Sequence, residues 1–154
     1  MANQVKLGEP CTRCPYQDQP GPVLSDAPKD GMIYFFVGEG PGKDEIDRGR
    51  GFVGAAGREL FTLAEAAGIS RSEVRCGNVV KCLPVGAEYG KYSLDPEAIK
   101  CCSSYLEEEL REWSGMIVPV GGVAAKVIAQ LEPIRRWRGV IVRRPLSLGK
   151  LRSS

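Results

Sequence analysis

The 154-residue sequence contains no histidine. Without histidine, these residues cannot form a zinc finger with Cys and His ligands. They also cannot supply a histidine as general base. No apolar run approaches the roughly 20 residues that span a bilayer. Residues 1–6 lack the apolar core of a secretory signal peptide. We therefore expect a cytoplasmic protein with no membrane partner.

The sequence also lacks a strong excess of charge of either sign. Its 21 Lys and Arg residues nearly balance its 19 Asp and Glu residues, which leaves a net charge of +2 and predicts no global field for nucleic acid. Basic residues nevertheless concentrate near the carboxyl end: Arg135, Arg136, Arg138, Arg143, Arg144, Lys150 and Arg152. The basic tail at 143–154 either contacts phosphate groups or is solvated, and the sequence leaves both open.

The sequence has six cysteines and no export signal, which indicates free thiols or metal ligands rather than disulfides. Cys11 and Cys14 form a Cys-x-x-Cys motif in a segment, 1–31, that is predicted to be irregular. A redox dithiol is one alternative, but such a motif normally follows a strand, and none is predicted here. Without histidine, a metal would be bound by sulfur alone, in an iron–sulfur cluster or an all-cysteine zinc site. Buried free thiols are the remaining alternative.

The most informative stretch is an apolar run at 32–37 that ends in a loop of glycine and proline at 38–42. The run does not alternate with polar residues, so it predicts a strand that is buried on both faces. Glu39 is the first charged residue after this strand, at the edge where open α/β sheets bind ligands. An ordinary turn with a solvated glutamate is the alternative.

Predicted strands and helices alternate along the chain, with strands at 32–37, 74–80, 116–120 and 139–142. This order predicts one α/β domain over residues 1–154, a three-layer α/β/α sandwich with a mainly parallel four-stranded sheet. A metal bound by Cys11 and Cys14 would tether the irregular amino-terminal segment to it.

Five linked motifs between about residues 10 and 140 resemble the family 4 uracil-DNA glycosylases, the iron–sulfur branch of the uracil-DNA glycosylase superfamily. They occur in the family's order: Cys11-Thr-Arg-Cys14, Gly38-Glu39-Gly40-Pro41-Gly42-Lys-Asp44-Glu45, Gly51-Phe52-Val53-Gly54-Ala-Ala-Gly57, Asn78-Val-Val-Lys81-Cys82 and Cys102-Ser-Ser-Tyr105-Leu106.

The resemblance implies an enzyme of base excision repair that flips uracil out of DNA and hydrolyses its N-glycosidic bond. It implies that Glu39 positions water or stabilises the sugar cation, and that Asn78 binds the Watson–Crick edge of uracil. Phe52 would stack on the base, and Gly38 and Gly40 would line the substrate site. A core role for Phe52 and a strand-capping role for Asn78 are the structural alternatives.

The resemblance further implies a structural [4Fe–4S] cluster held by Cys11, Cys14, Cys82 and Cys102. It leaves Cys76 and Cys101 as spare thiols. The partner that the resemblance implies is uracil-containing DNA, and we expect the protein to be a monomer.

Two departures from the family pattern affect these expectations. Gly40 stands where the family usually has alanine, at a position expected to face the reacting centre and to influence base preference or rate. The family's carboxyl-terminal histidine motif has no match in the sequence, so we expect a truncated or frameshifted member, or one whose basic segment at 143–152 substitutes in part. Loss of a charge-stabilising donor typically costs about a hundredfold in rate. A weak or inactive uracil- or DNA-binding relative and a zinc-stabilised interaction domain are therefore the alternative functions.

Overall fold

The computed structural model describes residues 7–90 and 92–143. Its helices are α1 (Glu9–Thr12), α2 (Lys43–Arg48), α3 (Ala55–Ala66), α4 (Pro96–Arg111), α5 (Gly122–Ala129) and α6 (Ile134–Trp137). Its strands are β1 (Tyr34–Gly38), β2 (Val74–Asn78) and β3 (Met116–Pro119). Within these residues, no helix is both long and apolar enough to cross a membrane.

The strands form a parallel sheet in the order β2-β1-β3. The central strand is the predicted buried one, with no exposed surface on Phe35 or Val37. In the register of β1 and β2, Gly38 lies opposite Asn78 at the carboxyl edge of the sheet. The α/β class and the parallel sheet expected from the sequence are therefore confirmed.

The expectation of a fourth strand at 139–142 is wrong, because the described part of the chain has a three-stranded sheet. Gly139 has a left-handed backbone with φ 71° and ends the turn after α6. The side chains of Val140 and Ile141 are 51% and 78% exposed, so this apolar run does not enter the core. Most of the predicted basic tail, residues 144–154, lies outside the described residues, as do residues 1–6 of the amino-terminal segment.

Helices cover both faces of the sheet, and the alternation of strand side chains decides which residues meet which helices. Phe35 and Val37 point to one face, where they pack with residues of α4 and α5. Phe36 points to the other, where it packs with Val74 and Cys76 of β2 and with α3. The same alternation turns Gly38 towards the α3 face and Glu39 towards the α4–α5 face.

Two buried cations fasten the β2 segment to α4. The guanidinium of Arg75 lies 4.4 Å from the centre of the Phe35 ring, donates to the Glu109 carbonyl at 2.9 Å and pairs with Glu112. The Lys81 ammonium donates to the Glu109 carboxylate at 2.7 Å and to the Asn78 carbonyl at 2.6 Å. These bonds satisfy charges that would be costly to bury unpaired, and they fix the chain around Asn78.

The Lys81–Glu109 pair generates a stability prediction. We expect Glu109→Ala to lower the free energy of unfolding by about 3 kcal/mol, because it leaves the buried Lys81 ammonium without its counter-charge. Anaerobic equilibrium urea unfolding measures this change. The matched control is Glu9→Ala, which removes the exposed pair with Arg13 and should stay within about 0.5 kcal/mol of the parent. Equal losses in the two variants would contradict the role of the buried pair.

Candidate active site and cysteine pocket

Three of the predicted substrate-site residues meet at the carboxyl edge of β1 and β2. A methyl group built on Gly38 would lie 2.7 Å from Asn78 Oδ1 and 2.9 Å from Phe52 Cζ. Both side chains therefore press against bare backbone, and only glycine fits at position 38 without a shift. Asn78 is 5% exposed and Phe52 is half-buried, so the amide is sheltered while part of the ring remains accessible.

The backbone of Phe52 is held in a strained conformation. Its φ is 56°, in the left-handed region that costs a residue with a large side chain roughly 1–3 kcal/mol. The guanidinium of Arg71 holds it there by donating to the carbonyls of Phe52 at 3.1 Å and Gly51 at 3.0 Å. The guanidinium carbon of Arg71 lies over the Phe61 ring, 4.0 Å from its centre. Gly57 allows this arrangement, since a methyl group there would lie 2.2 Å from the Phe52 carbonyl oxygen.

The Glu45 carboxylate joins the two glycine-rich loops. One oxygen accepts from the Gly42 amide at 3.1 Å, and the other accepts from the Gly54 amide at 2.8 Å. The first bond is a helix-capping bond at the start of α2, and the second reaches across to the start of α3. The loop that follows β1 and the loop that carries Phe52 therefore keep a fixed relative position.

Gly40 is placed differently from its neighbours in the first loop. A methyl group on Gly40 would lie 2.8 Å from Val80 Cγ2 and 2.9 Å from Pro84 Cγ. The alanine expected from the family pattern would require those side chains to move. Close packing is therefore a physical reason for glycine at this position.

Glu39 lies apart from Asn78 and Phe52, on the α4–α5 side of the sheet edge. It is half-buried and lines a cavity of about 590 Å³ whose other walls come from the 92–94 segment, the first turns of α4 and one side of α5. Tyr92 lies on the same cavity, and burial together with the Glu39 carboxylate raises the pKa of its hydroxyl. The Tyr92 hydroxyl therefore keeps its proton to a higher pH than an exposed tyrosine does.

Five cysteines line one small apolar pocket: Cys11, Cys14, Cys82, Cys101 and Cys102. The structure thus brings together the four predicted cluster ligands and one cysteine predicted to be spare. The other spare cysteine, Cys76, is buried in β2 on the opposite face of the sheet, and burial raises the pKa of its thiol to about 12.

Several contacts position the pocket thiols. The Tyr16 amide donates to Cys14 Sγ at 3.4 Å, and the Tyr105 hydroxyl lies 3.9 Å from Cys11 Sγ. Burial raises the pKa of Cys102 to about 12. Throughout residues 7–90 and 92–143, no three His, Cys, Asp or Glu side chains converge closely enough to hold a single metal ion.

Sequence reasoning did not assign roles to Glu45, Arg71 or Tyr92. Glu45 carried a usable signal, because it is the third residue of a helix that begins after Gly42, where acidic side chains often cap. Its bond to Gly54 and the bonds of Arg71 to residues about 20 positions away have no local signature.

Comparison with known proteins adds a family context. The family model described as "Uracil DNA glycosylase superfamily" matches residues 28–151. Among curated proteins, the type-4 uracil-DNA glycosylase of Archaeoglobus fulgidus is 38% identical over 97 residues, which cover 62% of this chain and 47% of that protein. The type-4 uracil-DNA glycosylase of Thermotoga maritima is 36% identical over 116 residues, covering 74% and 58%. That of Saccharolobus solfataricus is 33% identical over 148 residues, covering 90% and 64%.

The matches thus span about half to two thirds of the length of these curated relatives. The resemblance to type-4 uracil-DNA glycosylases that the sequence motifs indicate is confirmed.

The bridging role of Glu45 can be tested by amide hydrogen exchange. In Glu45→Ala we expect the Gly42 and Gly54 amides to exchange at least about tenfold faster, since each loses a charge-assisted bond worth 1.5–3 kcal/mol. Asp47→Ala, an exposed change on the same helix, is the control and should leave both rates unaltered. Unchanged exchange at Gly54 in Glu45→Ala would mean that the carboxylate does not hold the two loops together.

Proposed function

The chain belongs to the uracil-DNA glycosylase superfamily, and on that premise we propose that it removes uracil from DNA by hydrolysing the N-glycosidic bond, as an enzyme of base excision repair. The observation that carries the proposal is the meeting of the Asn78 amide and the Phe52 ring at the bare backbone of Gly38. That combination supplies a polar edge and an aromatic face, which are the two surfaces that a flipped base needs.

Asn78 and Phe52 would recognise the base in the proposed mechanism. The side-chain amide of Asn78 offers one donor and one acceptor in a plane, which matches the neighbouring carbonyl and N–H of uracil. Its shelter from water strengthens both bonds. The half-exposed ring of Phe52 would stack on the uracil face, and its strained, doubly anchored backbone would keep the ring ready for this contact.

Glu39 would act on the sugar side of the bond. Departure of uracil builds negative charge on the base and positive charge on the sugar. A carboxylate in the adjacent cavity suits the sugar, either by positioning the attacking water or by stabilising the cation. The donors for the leaving uracil in this proposal would be the Asn78 amide and the backbone N–H groups next to Glu39, with Gly38 and Gly40 lining the substrate site.

We also propose that Cys11, Cys14, Cys82 and Cys102 hold a [4Fe–4S] cluster. Their common pocket is apolar and their donor set is sulfur alone, which fits iron–sulfur chemistry. Each thiolate of such a cluster binds a different iron atom, so the four sulfurs need not converge on one point as they would around a zinc ion. When bound, the cluster would supply a cross-link between the amino-terminal segment, the chain after β2 and α4.

The remaining parts of the proposal concern partner and context. Uracil-containing DNA is the proposed substrate, and the protein is proposed to act as a cytoplasmic monomer.

Single-turnover cleavage of a uracil-containing oligonucleotide tests the activity. We expect the anaerobically purified parent to release uracil. The variants Asn78→Ala, Phe52→Leu and Glu39→Gln should each lower the rate of release. The loss should be about a hundredfold or more for Asn78→Ala, because this change removes a donor that stabilises the charge on the leaving uracil. Glu59→Gln, on the exposed side of α3, is the control and should match the parent.

Failure of a folded, metal-loaded parent to release uracil would contradict the proposed activity. Retention of uracil-containing DNA without release would then identify a binding relative. Elemental analysis of the same protein tests the cofactor, since zinc in place of iron and sulfide would overturn the cluster assignment.

A further inference from the structure

The cysteine pocket contains one thiol more than a four-cysteine cluster uses. We propose that Cys101 is a substitute ligand, able to take the place of Cys102 on the cluster. This inference rests on the cofactor part of the proposed function, and it concerns a residue that the family resemblance leaves without a role.

The geometry of α4 places both thiols in reach of the same site. Adjacent helical residues are about 100° apart around the axis and about 1.5 Å apart along it, so neighbours usually serve different surroundings. Here both Cys101 and Cys102 line the pocket, which lies where α4 meets α1. The pocket therefore spans the angle between the two side chains.

Each of the two cysteines approaches the pocket from its own side. Cys101 shares a helix face with Tyr105, one turn later, and the Tyr105 hydroxyl lies 3.9 Å from Cys11 Sγ. Cys101 lines the pocket together with Cys11 and Cys14. Cys101 thus stands on the α1 side of the pocket.

Cys102 stands on the side of the chain that follows β2. It is 7% exposed, and it lines the pocket together with Lys81, Cys14 and Cys82. Cys14 is the shared neighbour of Cys101 and Cys102, so replacing one by the other keeps the Cys-x-x-Cys end of the site in place. In the exchange the bond from Cys102 Sγ to iron breaks and one from Cys101 Sγ forms. Cys101 loses a proton and the released Cys102 thiolate gains one, so no oxidant or reductant is needed.

The test compares iron retention in Cys101→Ala, Cys102→Ala and the double variant after anaerobic reconstitution with ferrous iron and sulfide. Iron and acid-labile sulfide per chain are measured, together with the chelator concentration that removes half of the iron. For each single variant, we expect the chelator concentration that removes half of the iron to stay within about threefold of the parent value. For the double variant, we expect this concentration to be lower than the parent value by about tenfold or more. Cys76→Ala, which removes a buried thiol outside the pocket, is the matched control.

Two results would overturn the inference. If Cys102→Ala loses iron as completely as the double variant, Cys101 does not substitute. If the double variant retains iron like the parent, neither cysteine is a ligand. Circular dichroism checks that each variant is folded, and Cys102→Val replaces Cys102→Ala if the smaller side chain prevents folding.

The outcomes separate this inference from the proposed function. A parent that binds iron but shows no substitution refutes the role of Cys101 alone. A parent that binds no iron refutes the cluster and this inference together, and uracil release measured on the same preparation reports the activity independently.

Discussion

The candidate active site depends on one carboxylate, that of Glu45, which accepts a hydrogen bond from one backbone amide in each glycine-rich loop, those of Gly42 and Gly54. Loops rich in glycine lose more conformational entropy on folding than other segments, and without a partner their amides would be satisfied by water. A charge-assisted bond to each loop offsets that cost and fixes their spacing. Because one loop follows β1 and the other carries Phe52, the distance between Gly38 and the Phe52 ring depends on this carboxylate.

A second constraint holds the opposite wall of the site. The Asn78 carbonyl accepts from the buried Lys81 ammonium, which is paired with Glu109 on α4. Cys82 follows Lys81 directly, and Cys102 lies on the same helix as Glu109. Asn78 at the end of β2 and Cys82 in the lining of the cysteine pocket therefore lie four positions apart, on a segment that Lys81 ties to α4. In the proposed enzyme, a cluster bound by the cysteines would stabilise the position of Asn78, although the cluster itself would take no part in the chemistry.

The sequence predicted those features that depend on local pattern. The buried strand and the glycine-rich loop at its end follow from one hydrophobic run and the glycines and proline after it, and the structure contains both. The apolar run at 139–142 has the local pattern of a strand. It is nevertheless not a strand, because it pairs with no strand of the described sheet. The Arg71 bonds, the Glu45 bond to Gly54 and the close approach of Gly40 to Pro84 join positions that are not local neighbours, so no single-sequence pattern encodes them.

The alternation of β1 explains why the candidate site has two sides. Gly38 points to the face of α3, where it meets Asn78 and the Phe52 ring, and the next residue, Glu39, points to the face of α4 and α5, where it lines the large cavity. A nucleotide whose base occupies the first side would have its sugar pass over the end of β1 towards the second. The step from strand to loop would thereby separate recognition of the base from chemistry at the sugar, within two consecutive residues.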